Sequence, residues 1–259
     1  MSLNKPVTDW NGVRVWIIGA SSGIGASLAK ILLASGARVA LSARNAQALA
    51  EVADGARPGQ VMVLPLDVTR EEQLAAALAS INASWSGIDL AFILAGSHRS
   101  VRAWELSGAQ ARSLVETNLM GTMNACAVVI PQLIRAGSGG IAVVSSVAGY
   151  GGLPTSLVYG ATKAALINFA ETLYLDLAPR GISVYLVNPG FVRTPLTDKN
   201  EFRMPALISA EEAAQEIIRG FAAGRFEIHF PKRFTLWLKF MKLLPYRLYF
   251  LAVHKFTGM

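Results

Sequence analysis

Short apolar runs alternate with helix-like segments from one end of this chain almost to the other, and that alternation leaves room for one kind of architecture. Residues 13–18, 38–42, 61–66, 89–94, 141–145 and 183–187 are strand-length, apolar and flanked by turn residues. Between them, 24–34, 46–52, 71–81, 111–134 and 158–177 carry helical spacing. Strands separated by helices require crossover connections. These place the strands parallel, with helices on both faces of the sheet. Ser209-Ala-Glu-Glu212 has the spacing of a capping box and predicts one more helix, with a seventh strand at 226–230 behind it. The expectation is an α/β, doubly wound, seven-stranded parallel sheet over residues 10–230, followed by a short helical extension over 231–259.

Charge separates the same two regions. The formal net charge is +7, yet from Arg225 onward there are seven Lys/Arg and a single acid, Glu227, so residues 1–224 are nearly neutral. The basic character belongs to the extension, which argues against nucleic acid as a partner of the domain. The one cysteine, Cys126, lies in an apolar stretch, where an inert buried thiol is expected, and no disulfide framework is available. Residues 1–20 lack the apolar core and cleavage site of a signal peptide, so a cytoplasmic protein is expected.

The first strand runs into Gly19-Ala-Ser-Ser-Gly23-Ile-Gly25. Glycines at a strand–helix junction allow a tight turn and let the backbone approach a pyrophosphate. The amides of Ser21, Ser22 and Ile24 are then placed to face the phosphates at a helix N-terminus. Where a binder of NAD carries an acid after its second strand, this chain reads Leu41-Ser-Ala-Arg44-Asn45. A guanidinium suits a ribose 2′-phosphate, which predicts NADP(H).

Ser145-Ser146 ends the fifth strand, and Tyr159-Gly-Ala-Thr-Lys163 opens the next helix. Tyr and Lys four residues apart share a helix face. The nearby cation, with the positive ring of an oxidised nicotinamide, is expected to lower the phenol pKa and make Tyr159 a general acid and base. A serine hydroxyl beside it would hold the same substrate oxygen. Taken alone the pair is a weak signal, since six tyrosines and eight lysines give about 0.2 chance matches. Its place downstream of the glycine loop gives it weight.

These motifs together resemble the short-chain dehydrogenase/reductase family over residues 10–230. Asp67-Val68 after the third strand, Asn118 in Thr-Asn-Leu-Met-Gly and Asn188-Pro-Gly-Phe-Val-Arg-Thr194 after the sixth also match its pattern. The family's thirteen-residue step from Ser to Tyr selects Ser146. The resemblance implies a Rossmann-type domain and a catalytic set of Asn118, Ser146, Tyr159 and Lys163. Tyr159 would donate the proton, Ser146 fix the carbonyl and Lys163 hold the nicotinamide ribose, with Asn118 anchoring a water leading to Lys163. Cofactor contacts are implied at Gly19, Ser21, Ser22, Gly23, Ile24, Gly25, Asp67 (to adenine), Val68, Ala95, Gly96, Tyr159, Lys163, Pro189, Gly190, Val192 and Thr194. Two departures stand out: Ile18 where the family has Thr, and Ile93-Leu94-Ala95-Gly96 where it has Asn-Asn-Ala-Gly. They suggest that support for the glycine loop is rewired. The resemblance implies a small-molecule carbonyl or alcohol substrate and a homodimer or homotetramer built on 111–134 and 158–177. A non-catalytic dinucleotide sensor on the same fold is the alternative, and a sugar-nucleotide epimerase would need a larger C-terminal domain.

The extension, RFTLWLKFMKLLPYRLYFL over 233–251, carries too many cations and a proline for a transmembrane span. It predicts two short helices broken at Pro245. In the first, Lys232, Thr235, Lys239 and Lys242 form one polar stripe, with Phe234, Trp237, Phe240, Met241 and Leu244 lying away from it. Three destinations stay open for that apolar surface: the substrate pocket or a neighbouring subunit, an anionic membrane interface reached through 232–256, or another protein. The first two converge on a lipophilic substrate. His98 and Arg99, just past Gly96, are either solvated loop residues or border the pocket, and the resemblance implies a lid over it at 191–207.

Overall fold

In the computed structural model, which describes residues 2–198 and 204–258, seven strands form one parallel sheet in the order β3-β2-β1-β4-β5-β6-β7. They are β1 (Arg14–Ile18), β2 (Arg38–Ser42), β3 (Val61–Val63), β4 (Leu90–Ile93), β5 (Gly140–Val144), β6 (Ser183–Pro189) and β7 (Glu227–Phe230). The expected architecture is therefore present. Because β1 lies between β2 and β4, the connections leave in opposite directions from β1 and open a crevice above its carboxyl end.

Helices α1 (Gly23–Ala34), α2 (Ala46–Ala53) and α7 (Ala210–Ala222) cover one face, and α3 (Glu71–Trp85), α5 (Gly121–Ala136) and α6 (Leu157–Leu177) the other. Their apolar faces meet alternate residues of the same strands: Ile17, Val39 and Phe92 point into one core, Trp16, Ala40 and Ala91 into the other. Tyr185 stacks on Phe221 at 3.8 Å between ring centroids. The capping box forms as the spacing predicts, Ser209 N–H donating to Glu212 Oε2 at 2.7 Å and Glu212 N–H to Ser209 Oγ at 3.1 Å. At the amino edge of the sheet, Arg14 and Asp89 join β1 to β4 through a 2.5 Å ion pair, assisted by Arg14 Nη1 donating to the carbonyls of Trp85 and Ser86.

The helix expected over 111–134 differs in its winding. It comprises α4 (Gly108–Val115), a π turn over Glu116–Met120, and α5. Among the described residues, Gly108–Ala136 is also the one helical run long and apolar enough to cross a bilayer. Its Ala125, Cys126, Val129 and Leu133 lie instead in the core under the sheet. Cys126 is buried there as expected, its thiol pushed up to about 12 by desolvation.

The extension forms α8 (Lys232–Lys242) and α9 (Tyr246–Thr257), broken at Pro245. The middle of the α8 polar stripe, Thr235 and Lys239, faces the domain rather than water, while Lys242 at its end stays exposed. Thr235 is fully buried and its hydroxyl meets His229 Nδ1 at 2.6 Å. Lys239 pairs with Glu227 of β7, a carboxylate that also accepts from Tyr150 Oη at 2.7 Å and Asn188 Nδ2 at 2.9 Å. A half-buried carboxylate and a buried imidazole need partners, and Lys239 and Thr235 of the stripe supply them. Leu238 and Met241 on α8, with Tyr249 and Val253 on α9, close a small third core around Val147.

Candidate active site

Every segment singled out in the sequence ends at the carboxyl edge of the sheet. Beyond β1 the chain turns at Gly19 (φ +106°), whose amide donates to Ser42 O at 2.7 Å, and enters α1 at Gly23 (φ +53°). A Cβ on Gly19 would lie 2.6 Å from Ala95 N, and one on Gly23 would lie 2.7 Å from Thr194 Cγ2. The glycine loop, the end of β4 and the segment after β6 thus converge to within a methyl group of each other. The departures at Ile18 and Leu94 fit this arrangement. Ile18 O accepts from Leu94 N at 2.8 Å and from Ala95 N at 2.9 Å. Backbone, with Leu94 packed on the core, holds the loop where polar side chains would otherwise do so.

Arg44 is exposed immediately after β2. Its charge is close enough to act on Asp67, whose carboxyl is held below its ordinary range first by the Thr69 amide and then by the Thr69 hydroxyl, Arg44 and Arg70. Asp67 Oδ1 accepts from both Thr69 groups, at 2.9 and 2.8 Å. Val68 turns its side chain into the core, 2.6 Å from where a Cβ on Gly121 would stand. Val192 is buried and bridges to Ile208, while Gly190 N–H donates to Phe230 O at 2.7 Å, docking the end of β6 on β7.

The π turn aims Asn118 inward. Its Oδ1 accepts from Ser97 N at 2.7 Å and its Nδ2 donates to Ser97 O at 2.9 Å. π turns recur where a helix must present a side chain out of phase. Lys163 Nζ donates to Val144 O at 3.0 Å and lies 5.7 Å from the centroid of the Tyr159 ring. A Cβ on Gly96 would stand 3.4 Å from Asn118 Oδ1 and 3.8 Å from Lys163 Nζ, so these groups surround one small space. The two serines part company: Ser145 Oγ is buried and donates to Lys163 O at 2.7 Å, whereas Ser146 Oγ accepts from Ala148 N at 3.1 Å and lines a cavity.

The expected lowering of the Tyr159 pKa invoked the positive ring of a bound oxidised cofactor together with Lys163, and the protein by itself pulls the other way. Burial pushes the Tyr159 pKa up rather than down, and only the Ser146 hydroxyl opposes it. The lysine bears the cost of burial as well, its pKa falling to about 8. Removing either side chain from water disfavours its charged form, and in the protein alone this outweighs the lysine's effect on the phenol.

The cavity, about 790 Å³, has Ser146 and Tyr159 on its wall together with His98, whose ring meets that of Tyr159 edge-on at 4.7 Å. Phe191, Leu196, Met204 and Pro205 of the expected lid contribute to it; 199–203 of that lid lie outside the described residues. Arg99 is not on the wall. Phe234, Trp237, Leu238, Met241, Val253 and Phe256 of the extension complete it. Ser97 and Thr162, which hold Asn118, carried no signal apart from their closeness to the motifs.

Residues 14–204 match the family model of the short chain dehydrogenases. An oxidoreductase of Myxococcus xanthus is 33% identical over 92% of this chain and 95% of its own length. A short chain dehydrogenase from Burkholderia cenocepacia, solved in complex with NADP, is 27% identical with a TM-score of 0.82, covering 97% of this chain and all of its own. One from Burkholderia phymatum, solved with NAD, is 24% identical with a TM-score of 0.81 over 90% and 94% of the two chains, a likeness of fold.

Proposed function

The chain belongs to the short-chain dehydrogenase family, and on that footing we propose that this oxidoreductase uses NADP(H) to interconvert a ketone and a secondary alcohol on a lipophilic substrate. The observation that carries the reading is the position of Tyr159 and Ser146, which stand together on the wall of an otherwise largely apolar cavity. The described residues of that wall include no Lys, Arg, Asp or Glu, so a neutral, greasy molecule is favoured over a charged one.

The crevice above β1 fits a dinucleotide. Its glycines leave open a space that side chains would fill, and α1 presents its N-terminus there. Gly19, Ser21, Ser22, Gly23, Ile24 and Gly25 would hold the pyrophosphate, and Asp67, Val68, Ala95 and Gly96 the adenosine side. Pro189, Gly190, Val192 and Thr194 would hold the nicotinamide side. When bound, the cofactor supplies or accepts the hydride. Ser146 holds the substrate oxygen, and Tyr159 gives it a proton during reduction and takes one during oxidation. A phenol whose pKa is raised by burial keeps its proton at neutral pH, ready for the reductive direction. Lys163 meets Tyr159 through its ring face and would hold the ribose; Asn118 fixes the backbone of Ser97 beside them and would anchor a water leading to Lys163.

A screen of NADPH consumption on ketones of graded chain length tests this reading: turnover should rise with chain length, and a clear preference for NADH would refute the cofactor assignment. Arg44→Ala is expected to raise KM for NADPH roughly tenfold or more and to leave KM for NADH nearly unchanged, the loss of one charge-assisted bidentate contact. Lys163 supplies a pH test. Its pKa near 8 lies below the ordinary 10.5, so the ammonium is charged below pH 8 and neutral above it. NADPH affinity, read by fluorescence titration, should be flat on the acid side and fall as pH rises through about 8, with no such limb in Lys163→Arg.

The proposal extends to a cytoplasmic enzyme that contacts a membrane peripherally through 232–256 and assembles as a homodimer or homotetramer. Exposed Ile134 on α5 and Leu175 on α6 support the assembly face.

A further inference from the structure

Nine of the sixteen large apolar side chains exposed among the described residues belong to α8, α9 and the turn between them. Leu236, Phe240 and Leu243 follow one another at helical spacing along α8 and just past its end, and Leu248 and Leu251 are exposed on α9 opposite its buried Tyr249 and Val253. Such a patch on a soluble domain marks an interaction surface. It arises because α8 is turned so that Thr235 and Lys239 face β7, which leaves much of its apolar side outside. Around it stand the exposed cations Arg233, Lys242, Arg247 and Lys255, and from Ile228 to Gly258 the chain carries no acid.

Two of the exposed rings have a second role. Trp237 and Phe256 touch edge-on, 5.3 Å between centroids, and both also line the cavity that holds Tyr159. The outer apolar face and the cavity wall are therefore continuous at this pair.

We propose that the outer face of α8 and α9 docks on an anionic lipid bilayer, and that the cavity exchanges its substrate with that bilayer past Trp237 and Phe256. The route rests on the reading of the cavity as the substrate site; the docking does not. Apolar side chains enter the headgroup boundary, and cations at the rim meet anionic headgroups. A second copy of the chain would bring the same cations face to face, which disfavours it as the occupant. A lipophilic ketone partitions into the same layer, so a mouth opening there spares it a passage through water.

The test uses the full chain and the double variant Leu243→Glu/Leu251→Glu, both positions exposed and neither on the cavity wall. Sedimentation with phosphatidylcholine vesicles, with and without phosphatidylglycerol, should show binding of the unaltered protein to the anionic vesicles, and roughly a hundredfold weaker partitioning of the variant. Turnover of a long-chain ketone dissolved in those vesicles should fall with it, while kcat/KM for a short, water-soluble ketone stays unchanged. Equal sedimentation of the two proteins overturns the docking. So does a change in oligomeric state on mutation, which would assign the face to a second copy. Undiminished turnover of the vesicle-borne ketone by a variant that no longer binds overturns the route. If the unaltered protein reduces neither ketone, the reductase reading fails, and sedimentation still decides the docking.

Discussion

Tyr159→Phe is expected to lower kcat for ketone reduction by roughly three orders of magnitude, the usual worth of a positioned general acid. The same change should leave NADPH affinity within about fivefold, since at most one hydrogen bond is lost. The ring keeps its contacts with His98 and with the Lys163 ammonium, so the fold around it has no reason to move. What disappears is the phenol that stands with Ser146 on the cavity wall and can deliver a proton. Burial already favours the neutral phenol, so removing the hydroxyl uncovers no buried charge. Stopped-flow or steady-state NADPH oxidation measures the effect, and unaltered kcat would remove Tyr159 from the mechanism.

Gly25→Ala should be nearly as damaging, through space rather than conformation. Gly25 lies outside the left-handed region, so an alanine is tolerated by its own backbone. Its Cβ would nevertheless stand 2.1 Å from Gly19 O and 3.2 Å from Ala20 Cα, where no flexible side chain can give way. The loop must shift, and with it the amides that would face the pyrophosphate. A roughly hundredfold rise in the NADPH dissociation constant is expected, with a stability loss of about 1–3 kcal/mol from overpacking. Gly108→Ala, where the nearest atom is 3.6 Å away, is the control and should change neither quantity. If the two variants bind NADPH alike, the tight turn is not what holds the cofactor.

Much of this was legible in the chain itself. Short apolar runs between turn residues located the seven strands, and helical spacing the main helices, because a parallel sheet covered on both faces writes its burial directly into continuous apolar runs. The ends were less visible. β3 stops at Val63 although the apolar run continues to 66, and α3 runs on to Trp85, where Ser86 adopts a left-handed cap. The π turn at 116–120 was hidden, since one extra residue in a helix leaves composition unchanged and merely shifts the phase of the stripe. The proposed site residues were singled out by their spacing, but their electrostatics were not. Burial of Tyr159 and Lys163 depends on the walls around them, and part of those walls comes from a segment some eighty residues downstream. The extension shows the limit most plainly. Its polar stripe was apparent, yet only the placement of Glu227 and His229 on β7 decides that Thr235 and Lys239 of that stripe face inward.

The one-sided layout of the sheet has a practical reading for anyone who wishes to engineer the enzyme. Glycine loop, Asn118, Ser146, Tyr159 and Thr194 all gather above the carboxyl ends of the strands, whereas the amino edge carries the Arg14–Asp89 clasp and tight turns. Reactivity and durability are therefore written on opposite rims of the molecule. Tethers, tags and stabilising substitutions belong on the amino rim, where they are a full strand length from any group that must move a proton.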